Sequence, residues 1–387
     1  MKIALAQLDY HVGNFEENTR KIIVAIEEAK SKGADIAVFS ELAICGYPPR
    51  DFLEFQNFIE MCIAGIEEIA AHCKGIAAIV GGPSRNPSSK GKDLFNSAYF
   101  LKDGRISDII HKTLLPTYDV FDEYRYFEPN GSFHCINLDG CKIALTICED
   151  LWNIDDNPLY IQNPMDILIK EKPDFAINIA ASPFSFNHDA KRTSVLTKNA
   201  KMYGIPFFYV NHIGAQTEII FDGGSTVVSP KGSISKMPYF VEDLQVFDLE
   251  DMKVEEKSSG YILTSKYEQI YMALVEGIGD YFRKLGFKKA ILGMSGGVDS
   301  ALVLALAVKA LGNENVLPVL MPSPYSSTHS VDDSLDMIRR LKTDHKIIPI
   351  EKIMDAYEAT LEPHFKGWKK DVTEENIQAR ARGAILM

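Results

Sequence analysis

Residues Lys142 to Trp152 read KIALTICEDLW, an apolar run that ends at Cys148 and is followed at once by two acids, Glu149 and Asp150. A short apolar run bounded by polar residues is typical of a strand that is buried on both faces of its sheet. The stretch therefore predicts a central strand with a thiol at its end. From this stretch alone, the thiol is either a nucleophile or one more buried cysteine.

The same pattern occurs three more times in the first half of the chain. ADIAVFSE ends at Glu41, RISDIIHK ends at Lys112, and DFAINIAASPF ends near Ser182. Helical stretches lie between these runs, and we expect helices over residues 14–33 and about 188–203. Strands that alternate with helices indicate an α/β domain, with reactive groups collected at the ends of rigid strands.

The second half starts after a polar stretch and has a different pattern. We place a linker at 249–265, between a first domain at 1–248 and a second at 266–387. The second domain reads as a helix, the strand KKAILGM, the turn SGGVDS, the helix ALVLALAVKAL and the strands VLPVLMPS and HKIIPI. This order predicts an open, Rossmann-like parallel sheet.

The composition narrows the class of protein. A formal net charge of −12 argues against non-specific binding to nucleic acid, which needs a basic surface. There is neither a secretory signal nor an apolar run long enough to cross a bilayer, so no membrane partner is expected. The cysteines show no zinc-ligand spacing and no sign of a disulfide scaffold, which indicates a reducing, cytoplasmic environment. They are Cys45, Cys62, Cys73, Cys135, Cys141 and Cys148.

The turn SGGVDS, residues 295–300, lies between a buried strand and a buried helix, as phosphate-binding loops do. Gly296 and Gly297 allow backbone N–H groups to approach an anion, and the start of the helix adds a partial positive charge. Asp299 offers a carboxylate to a Mg²⁺ ion that bridges phosphates. The turn lacks the lysine of the Walker motif and is not GxGxxG. The plainer alternative is an ordinary glycine turn before a capped helix.

This turn resembles the pyrophosphatase loop of the N-type ATP pyrophosphatases, and two further segments, LMPSPYSSTHSVDDS and TEENIQARARG, resemble motifs of the NAD synthetases. The resemblance implies that Asp299 binds Mg²⁺ and that Asn376 and Arg380 lie at a deamido-NAD⁺ site. It also implies an ATP-binding loop that comprises Gly293, Met294, Ser295, Gly296, Gly297, Val298, Asp299 and Ser300.

The first half, residues 1–248, resembles the nitrilase superfamily of amidohydrolases. Glu41 in FSELAICGYPP, Lys112 in HKTLLP and Cys148 in TICEDLW match the triad of that family in chain order. The resemblance implies a thiolate nucleophile whose pKa a nearby cation lowers, a glutamate that moves the proton and a lysine that stabilises the oxyanion. Each residue alone has a plainer explanation, such as a strand end or a solvated lysine. Cys45, inside an apolar stretch, is interpreted as packing.

The same resemblance implies a glutamine pocket. Tyr118 would line it, Glu149 would engage the amino group of the substrate, and Ser182 would contact its amino-acid head. Some family members carry a basic residue at the position of His188. Either His188 or Arg192 would then hold the substrate carboxylate.

One chain with both halves resembles the family of glutamine-dependent NAD⁺ synthetases. The resemblance implies an αββα sandwich followed by an incomplete ATP pyrophosphatase domain. It implies a homo-oligomer that uses L-glutamine, ATP with Mg²⁺ and deamido-NAD⁺, with no tightly bound organic cofactor. Because family members continue past residue 387, we expect a shortened chain that retains glutaminase activity and makes little NAD⁺. The alternatives are an amidase with an inactive or regulatory ATP module, and a non-enzymatic ATP-sensing scaffold.

Overall fold

The computed structural model describes residues 1–154, 158–216, 218–254, 259–260, 265–323, 326, 328–365, 367 and 372–387. The chain divides into two compact units, Met1–Ala273 and Leu274–Met387. Among the described residues, no helix is both long enough and apolar enough to span a membrane.

The first unit contains two large sheets and the helices that cover them. Its strands are β1 (Lys2–Gln7), β2 (Ile36–Val38), β3 (Ala77–Arg85), β4 (Leu94–Lys102), β5 (Arg105–His111), β6 (Ile136–Leu138), β7 (Cys141–Ile147), β8 (Phe175–Ile179), β9 (Phe207–Val210), β10 (Ile213–Gln216), β11 (Ile219–Asp222), β12 (Thr226–Val228), β13 (Ile234–Lys236), β14 (Asp243–Asp248) and β15 (Ser259–Gly260). Its helices are α1 (Phe15–Ser31), α2 (Gln56–His72), α3 (Pro164–Leu168), α4 (His188–Tyr203) and α5 (Leu249–Val254).

The two large sheets pack face to face. One has six strands in the order β14-β1-β2-β3-β4-β5, and the other has seven in the order β15-β13-β12-β9-β8-β7-β6. Apolar residues of β1 and β2, such as Leu5 and Val38, meet those of β7 and β8, such as Leu145 and Ile177, in one buried core. This double-sided burial explains why β7 and β8 are continuous apolar runs.

Helices cover the outer face of each sheet. Ile22 and Ile26 of α1 and Ile66 of α2 pack on the six-stranded sheet, while Leu196 and Ala200 of α4 pack on the seven-stranded one. The apolar face of α1 follows the expected 3.6-residue spacing. The layers are therefore helix, sheet, sheet and helix, so the predicted αββα sandwich is confirmed.

The strand ends differ in detail from the sequence prediction. Strand β2 stops at Val38, so Glu41 lies in the turn that follows rather than at the strand end. Strand β5 is not a central strand but the edge of its sheet, and it is only partly buried. Its one exposed side is the reason for its mixed composition, because an edge strand needs few apolar residues.

The second unit contains a smaller, parallel sheet with helices on both faces. The strands β16 (Ala290–Met294), β17 (Val316–Leu320) and β18 (Lys346–Ile347) are parallel neighbours in that order. Its helices are α7 (Val298–Leu311), α8 (Thr328–Leu341), α9 (Glu351–Phe365) and α10 (Val372–Leu386), and α6 (Lys266–Leu285) crosses the division between the units. Buried residues of α7 and α8 form one core with the sheet, and Met354 of α9 forms another, against which partly buried residues of α10 pack. The predicted Rossmann-like parallel sheet is confirmed.

The segment proposed as a linker, 249–265, is partly ordered. Helix α5 buries Leu249 and Met252 in the core between the two large sheets, and β15 pairs with β13. Residues 255–258 and 261–264 lie outside the described part of the chain.

Candidate active site

Cys148 lies directly after β7, in a sharp turn with a left-handed backbone (φ 44°). A non-glycine residue in this region is strained, so the surrounding structure has to hold it there. Asp150 does so, because its carboxylate accepts hydrogen bonds from the backbone N–H groups of Ile147 (3.0 Å), Thr113 (3.0 Å) and Leu114 (2.8 Å). The second acid after the cysteine therefore shapes the turn.

Glu41 and Lys112 meet in the interior, although 71 residues separate them in the chain. Both are fully buried, and Lys112 Nζ lies 2.6 Å from Glu41 Oε1. The backbone N–H of Ala181 donates to the other oxygen of Glu41 (3.0 Å). Such pairing is what allows two charges to be buried at all.

Glu123 is a third member of this cluster that the sequence analysis missed. Its carboxylate accepts hydrogen bonds from Lys112 Nζ (2.8 Å), Tyr47 (2.8 Å) and Asn96 (3.3 Å). Burial raises the pKa of Glu123 to about 7, Lys112 works against that rise, and Glu41 adds to it. Glu123 lies in a loop without periodic pattern, so no sequence signal distinguished it from its exposed neighbours.

One ammonium serves both carboxylates. Burial alone would lower the pKa of Lys112, but Glu123 and Glu41 outweigh it and hold that pKa well above its usual value. The lysine therefore stays protonated in the interior. A fixed positive charge beside a thiol is suited to an oxyanion that forms during acyl transfer.

The electrostatics of Cys148 correct one expectation. We expected the nearby cation to lower the pKa of the thiol, and Lys112 does act in that direction. Burial and the Glu41 carboxylate are stronger, so the pKa of Cys148 lies well above its usual value. The resting group is therefore a neutral thiol that needs a base as it attacks, and Glu41 is the carboxylate that acts on it most strongly.

Glu149 and Tyr118, two of the predicted pocket residues, are in direct contact. The Tyr118 hydroxyl donates to the Glu149 carboxylate at 2.9 Å, and Tyr160 donates to it at 3.2 Å. Burial raises the pKa of Glu149, while Lys112 and the two tyrosine bonds oppose the rise. Tyr160 was not predicted, since nothing in its local sequence marks it.

Ser182 and His188, two further predicted pocket residues, are also in direct contact. Ser182 Oγ and His188 Nε2 are 2.9 Å apart, and the His188 ring stacks on Trp152. Burial and the nearby Arg192 lower the pKa of His188 to about 4, so the ring is neutral at ordinary pH. A neutral imidazole can donate a hydrogen bond to a carboxylate but cannot form an ion pair with it.

Arg192, the alternative to His188, pairs with two carboxylates inside the protein. It is buried, and its guanidinium forms two hydrogen bonds with Asp222 (2.9 and 3.0 Å) and one with Asp189 (3.1 Å).

Cys45 is fully buried in the helix-facing core, and burial raises the pKa of its thiol. That environment is typical of an inert cysteine.

In the second unit, the turn after β16 is held by its own serines. Ser300 Oγ donates to Gly297 O (2.9 Å), and Ser295 Oγ accepts from the Gly297 N–H (3.2 Å). Gly296 has a left-handed backbone (φ 80°), and a Cβ there would collide with the backbone of Ser330. Glycine is thus required at this position both for its conformation and for the close approach of α8.

The predicted loop residues differ in where they lie. Gly293, Met294 and Ser295 line a cavity of about 440 Å³ between the strand ends, α8 and α10. Val298 and Asp299 begin α7 and are exposed. Among the described residues, no three His, Cys, Asp or Glu side chains are grouped to hold a metal ion. A cation at Asp299 would need most of its ligands from a bound molecule.

An arginine that the sequence analysis did not name, Arg382, lies at this cavity. Asn376 and Arg380 are exposed on α10 and do not line the cavity. Arg382 does line it, and its Nε donates to Met321 O (3.2 Å). Because helix neighbours two residues apart point to different faces, Arg380 and Arg382 cannot both face the cavity.

Comparison with known proteins also divides the chain into two parts. A family model described as carbon-nitrogen hydrolase matches residues 2–253, and one described as NAD synthase matches residues 270–387. The fold of the first unit also resembles an amidase from Nesterenkonia sp. AN1, with a TM-score of 0.55, 21% sequence identity, and coverage of 64% of this chain and 93% of that one.

Relatives that carry both parts match the whole chain. A glutamine-dependent NAD(+) synthetase from Synechocystis sp. is 42% identical, with 100% of this chain and 71% of the relative covered. One from Thermotoga maritima is 34% identical, with 100% and 72% covered. The structure of the enzyme from Acinetobacter baumannii in complex with ADP superposes with a TM-score of 0.92 at 36% identity, covering 100% of this chain and 72% of that one. The chain belongs to the family of glutamine-dependent NAD⁺ synthetases.

Proposed function

We propose that the protein is an ATP-dependent carbon–nitrogen ligase that takes its nitrogen from L-glutamine. The first unit releases ammonia from glutamine. The second unit uses ATP to activate the carboxylate of deamido-NAD⁺, and ammonia displaces AMP to leave NAD⁺ and pyrophosphate. The observation that carries the first half of this proposal is the buried Glu41–Lys112 pair, 2.6 Å apart, beside the strained turn of Cys148.

The geometry supports a definite order of proton transfers. Glu41 takes the thiol proton of Cys148 as the sulfur attacks the carboxamide carbon, and the oxyanion forms beside the Lys112 ammonium. Glu41 then gives that proton to the departing nitrogen, and ammonia leaves a thioester. Water attacks the thioester with Glu41 again as base, and glutamate is released.

For the substrate head, we propose two contacts at opposite ends of the pocket. Glu149, which accepts a hydrogen bond from Tyr118, takes the α-ammonium group, since after the catalytic cluster it is the carboxylate that raises the pKa of the thiol most. Ser182 and neutral His188 hydrogen-bond the α-carboxylate. The Glu123 carboxylate keeps Lys112 oriented toward the reacting atoms.

For the nucleotide, we propose that Ser295–Ser300 hold ATP phosphates through backbone N–H groups and hydroxyls, with Asp299 as a ligand to Mg²⁺. One exposed carboxylate and phosphate oxygens make a suitable donor set for Mg²⁺, which commonly keeps few protein ligands. The ion would neutralise phosphate charge. Asn376 and Arg380 remain proposed contacts to deamido-NAD⁺, and the exposed face of α10 leaves them accessible.

Assembly and location belong to the same proposal. We propose a homo-oligomer, which the exposed apolar residues Val298, Leu302 and Val303 on α7 favour. We propose a cytoplasmic location, which is supported by the six free cysteines.

The test is glutamate release from glutamine by the full chain, its Cys148→Ala variant and Cys45→Ala as a matched buried-thiol control. The proposal expects activity in the wild type and in Cys45→Ala, and none in Cys148→Ala. Equal activity in all three would show that Cys148 is a core thiol and would overturn the proposal.

A second measurement addresses the ligase half. The rate of NAD⁺ formation from ammonium, ATP and deamido-NAD⁺, whether high or low, should be the same in Cys148→Ala as in the wild type, because ammonium replaces the glutaminase product. Glutamine hydrolysis that neither yields NAD⁺ nor responds to ATP and deamido-NAD⁺ would instead favour an amidase.

A further inference from the structure

Asn211 lies directly after β9, one parallel strand beyond Ser182 and two beyond Cys148. The carboxyl ends of β7, β8 and β9 meet at one edge of the sheet, so the residues that follow them are neighbours. Asn211 is fully buried and reaches the site only through other residues.

The Asn211 side chain forms hydrogen bonds with both the backbone N–H and the backbone C=O of Ser182. Its Oδ1 accepts from the Ser182 N–H (2.8 Å), and its Nδ2 donates to Ser182 O (3.1 Å), to Gly223 O (3.2 Å) and, at 3.4 Å, to the Asp222 carboxylate. A primary amide carries an acceptor oxygen and two donor hydrogens, so it can bond the N–H and the C=O of one residue at the same time. In a buried site, each of these bonds is costly to lose.

The segment bonded by Asn211, residues 180–182, contacts both the proposed base and a residue of the proposed head-group site. At one residue, the Ala181 N–H donates to Glu41 (3.0 Å), and at the next, Ser182 Oγ meets His188 (2.9 Å). The Glu41 N–H in turn donates to Ala180 O (3.4 Å). A shift of this segment would therefore move the base and the head-group contact together.

We propose that Asn211 is a positioning residue that sets the segment 180–182, and thereby couples the placement of the glutamine head group to that of Glu41. The inference rests on the proposed glutaminase function. It predicts that Asn211 affects the binding of the substrate head as well as the rate, although it touches neither the substrate nor the thiol.

The test uses two variants of the full chain. Asn211→Asp keeps the acceptor oxygen and loses both donations to carbonyls, while Asn211→Ser shortens the side chain without adding a charge beside Asp222. Asn18→Asp is the matched control. Asn18 is also buried, accepts from one backbone N–H (His11, 3.0 Å) and donates to two carbonyls (His11, 2.9 Å; Ile44, 3.2 Å), but it does not contact the segment 180–182.

The readouts are kcat, the KM for glutamine and the inhibition constant of L-glutamate, which carries the same head group. Neither KM nor the inhibition constant depends on the fraction of folded enzyme. Both Asn211 variants should raise KM and the inhibition constant roughly tenfold and lower kcat roughly tenfold, as the loss of about one hydrogen bond implies. Asn18→Asp should leave KM and the inhibition constant unchanged.

Two results would contradict the inference, and a third would contradict the proposed function on which it rests. Unchanged KM and inhibition constant in the Asn211 variants, with only a lower kcat, would assign Asn211 a purely structural role. Equal shifts in Asn18→Asp would do the same. A wild type that releases no glutamate would instead overturn the proposed function. If Asn211→Asp is recovered unfolded, Asn211→Ser is judged by the same criteria.

Discussion

The candidate glutaminase centre buries its charges, whereas the nucleotide loop of the second unit exposes its polar groups. Glu41 and Lys112 have no exposed surface, and Glu123 has almost none. By contrast, the loop serines bond one another close to solvent, and Asp299 is exposed. The difference teaches how each site handles charge. Amide hydrolysis creates charge at the reacting atoms, so the compensating groups have to be in place beforehand. A nucleotide is already charged before it binds. Backbone N–H groups that are hydrated in the free protein are therefore sufficient to bind its phosphates.

The contrast between the buried and the exposed site predicts that substitution of Lys112 causes the largest loss of activity and stability. Lys112→Met leaves two carboxylates buried without their cation, so glutaminase activity should fall by at least about 10³-fold and the free energy of unfolding by about 3–5 kcal/mol. Glutamate release and denaturant unfolding measure the two losses.

Lys102→Met is the matched control for that loss, because it breaks an ion pair of similar length with Asp139 (2.6 Å) that is partly exposed. We expect a cost below about 1 kcal/mol there. Similar costs for the two lysines would contradict the view that burial distinguishes the glutaminase centre.

The next effect concerns pH. The pKa of Glu123 rises from 4.5 to about 7 on folding. Between these values the folded state binds more protons than the unfolded one, so the free energy of unfolding falls as pH rises through this window. The Glu123 contribution should fall by ~2 kcal/mol between about pH 5.5 and pH 8.

The pH dependence is tested by denaturant unfolding of the wild type and Glu123→Gln across this range. The variant cannot ionise, so its stability should decline less with rising pH, and the difference between the two curves isolates Glu123. Parallel curves would mean that Glu123 does not titrate in this window.

A smaller effect is expected at His188. His188→Ala should raise the KM for glutamine about tenfold, because one hydrogen bond to the substrate carboxylate is lost. Since the His188 pKa is about 4, the ratio of the two KM values should stay constant from about pH 6 to pH 8. A ratio that declines with rising pH would show that the imidazolium form binds. The exposed His72→Ala serves as the control.

The smallest effect on stability is expected in the exposed loop. Ser300→Ala removes a hydroxyl near solvent, so the free energy of unfolding should change by about 0.5 kcal/mol or less. Nucleotide affinity, measured by calorimetry with ATP and Mg²⁺, should still fall several-fold. Thr360→Ala on α9, also an exposed hydroxyl, should change neither quantity. A stability loss as large as that of Lys112→Met would remove the contrast between the two sites.

Much of the architecture could be predicted from local patterns. The helix expected over about 188–203 is α4, and the run that ends at Cys148 is β7. The alternation of elements predicted an α/β first domain and a parallel sheet in the second, and the family resemblance implied the sandwich. The pattern misjudged β5, because an apolar run does not tell whether a second strand lies beyond it.

The sequence by itself determined the apolar runs that lead to Glu41, Lys112, Cys148 and Ser182, and its resemblance to known families indicated Glu149 and His188 as well. Only the tertiary structure decided how they pair. Contacts in the folded protein identified three further residues, Glu123, Tyr160 and Asn211. Each contacts a site residue that is 11 to 29 positions away in the chain. The neutral thiol of Cys148 and the neutral ring of His188 likewise follow from burial. The physical reason is that composition and spacing are properties of neighbours along the chain, whereas ionisation and hydrogen bonding depend on which strands lie side by side and how far they exclude water.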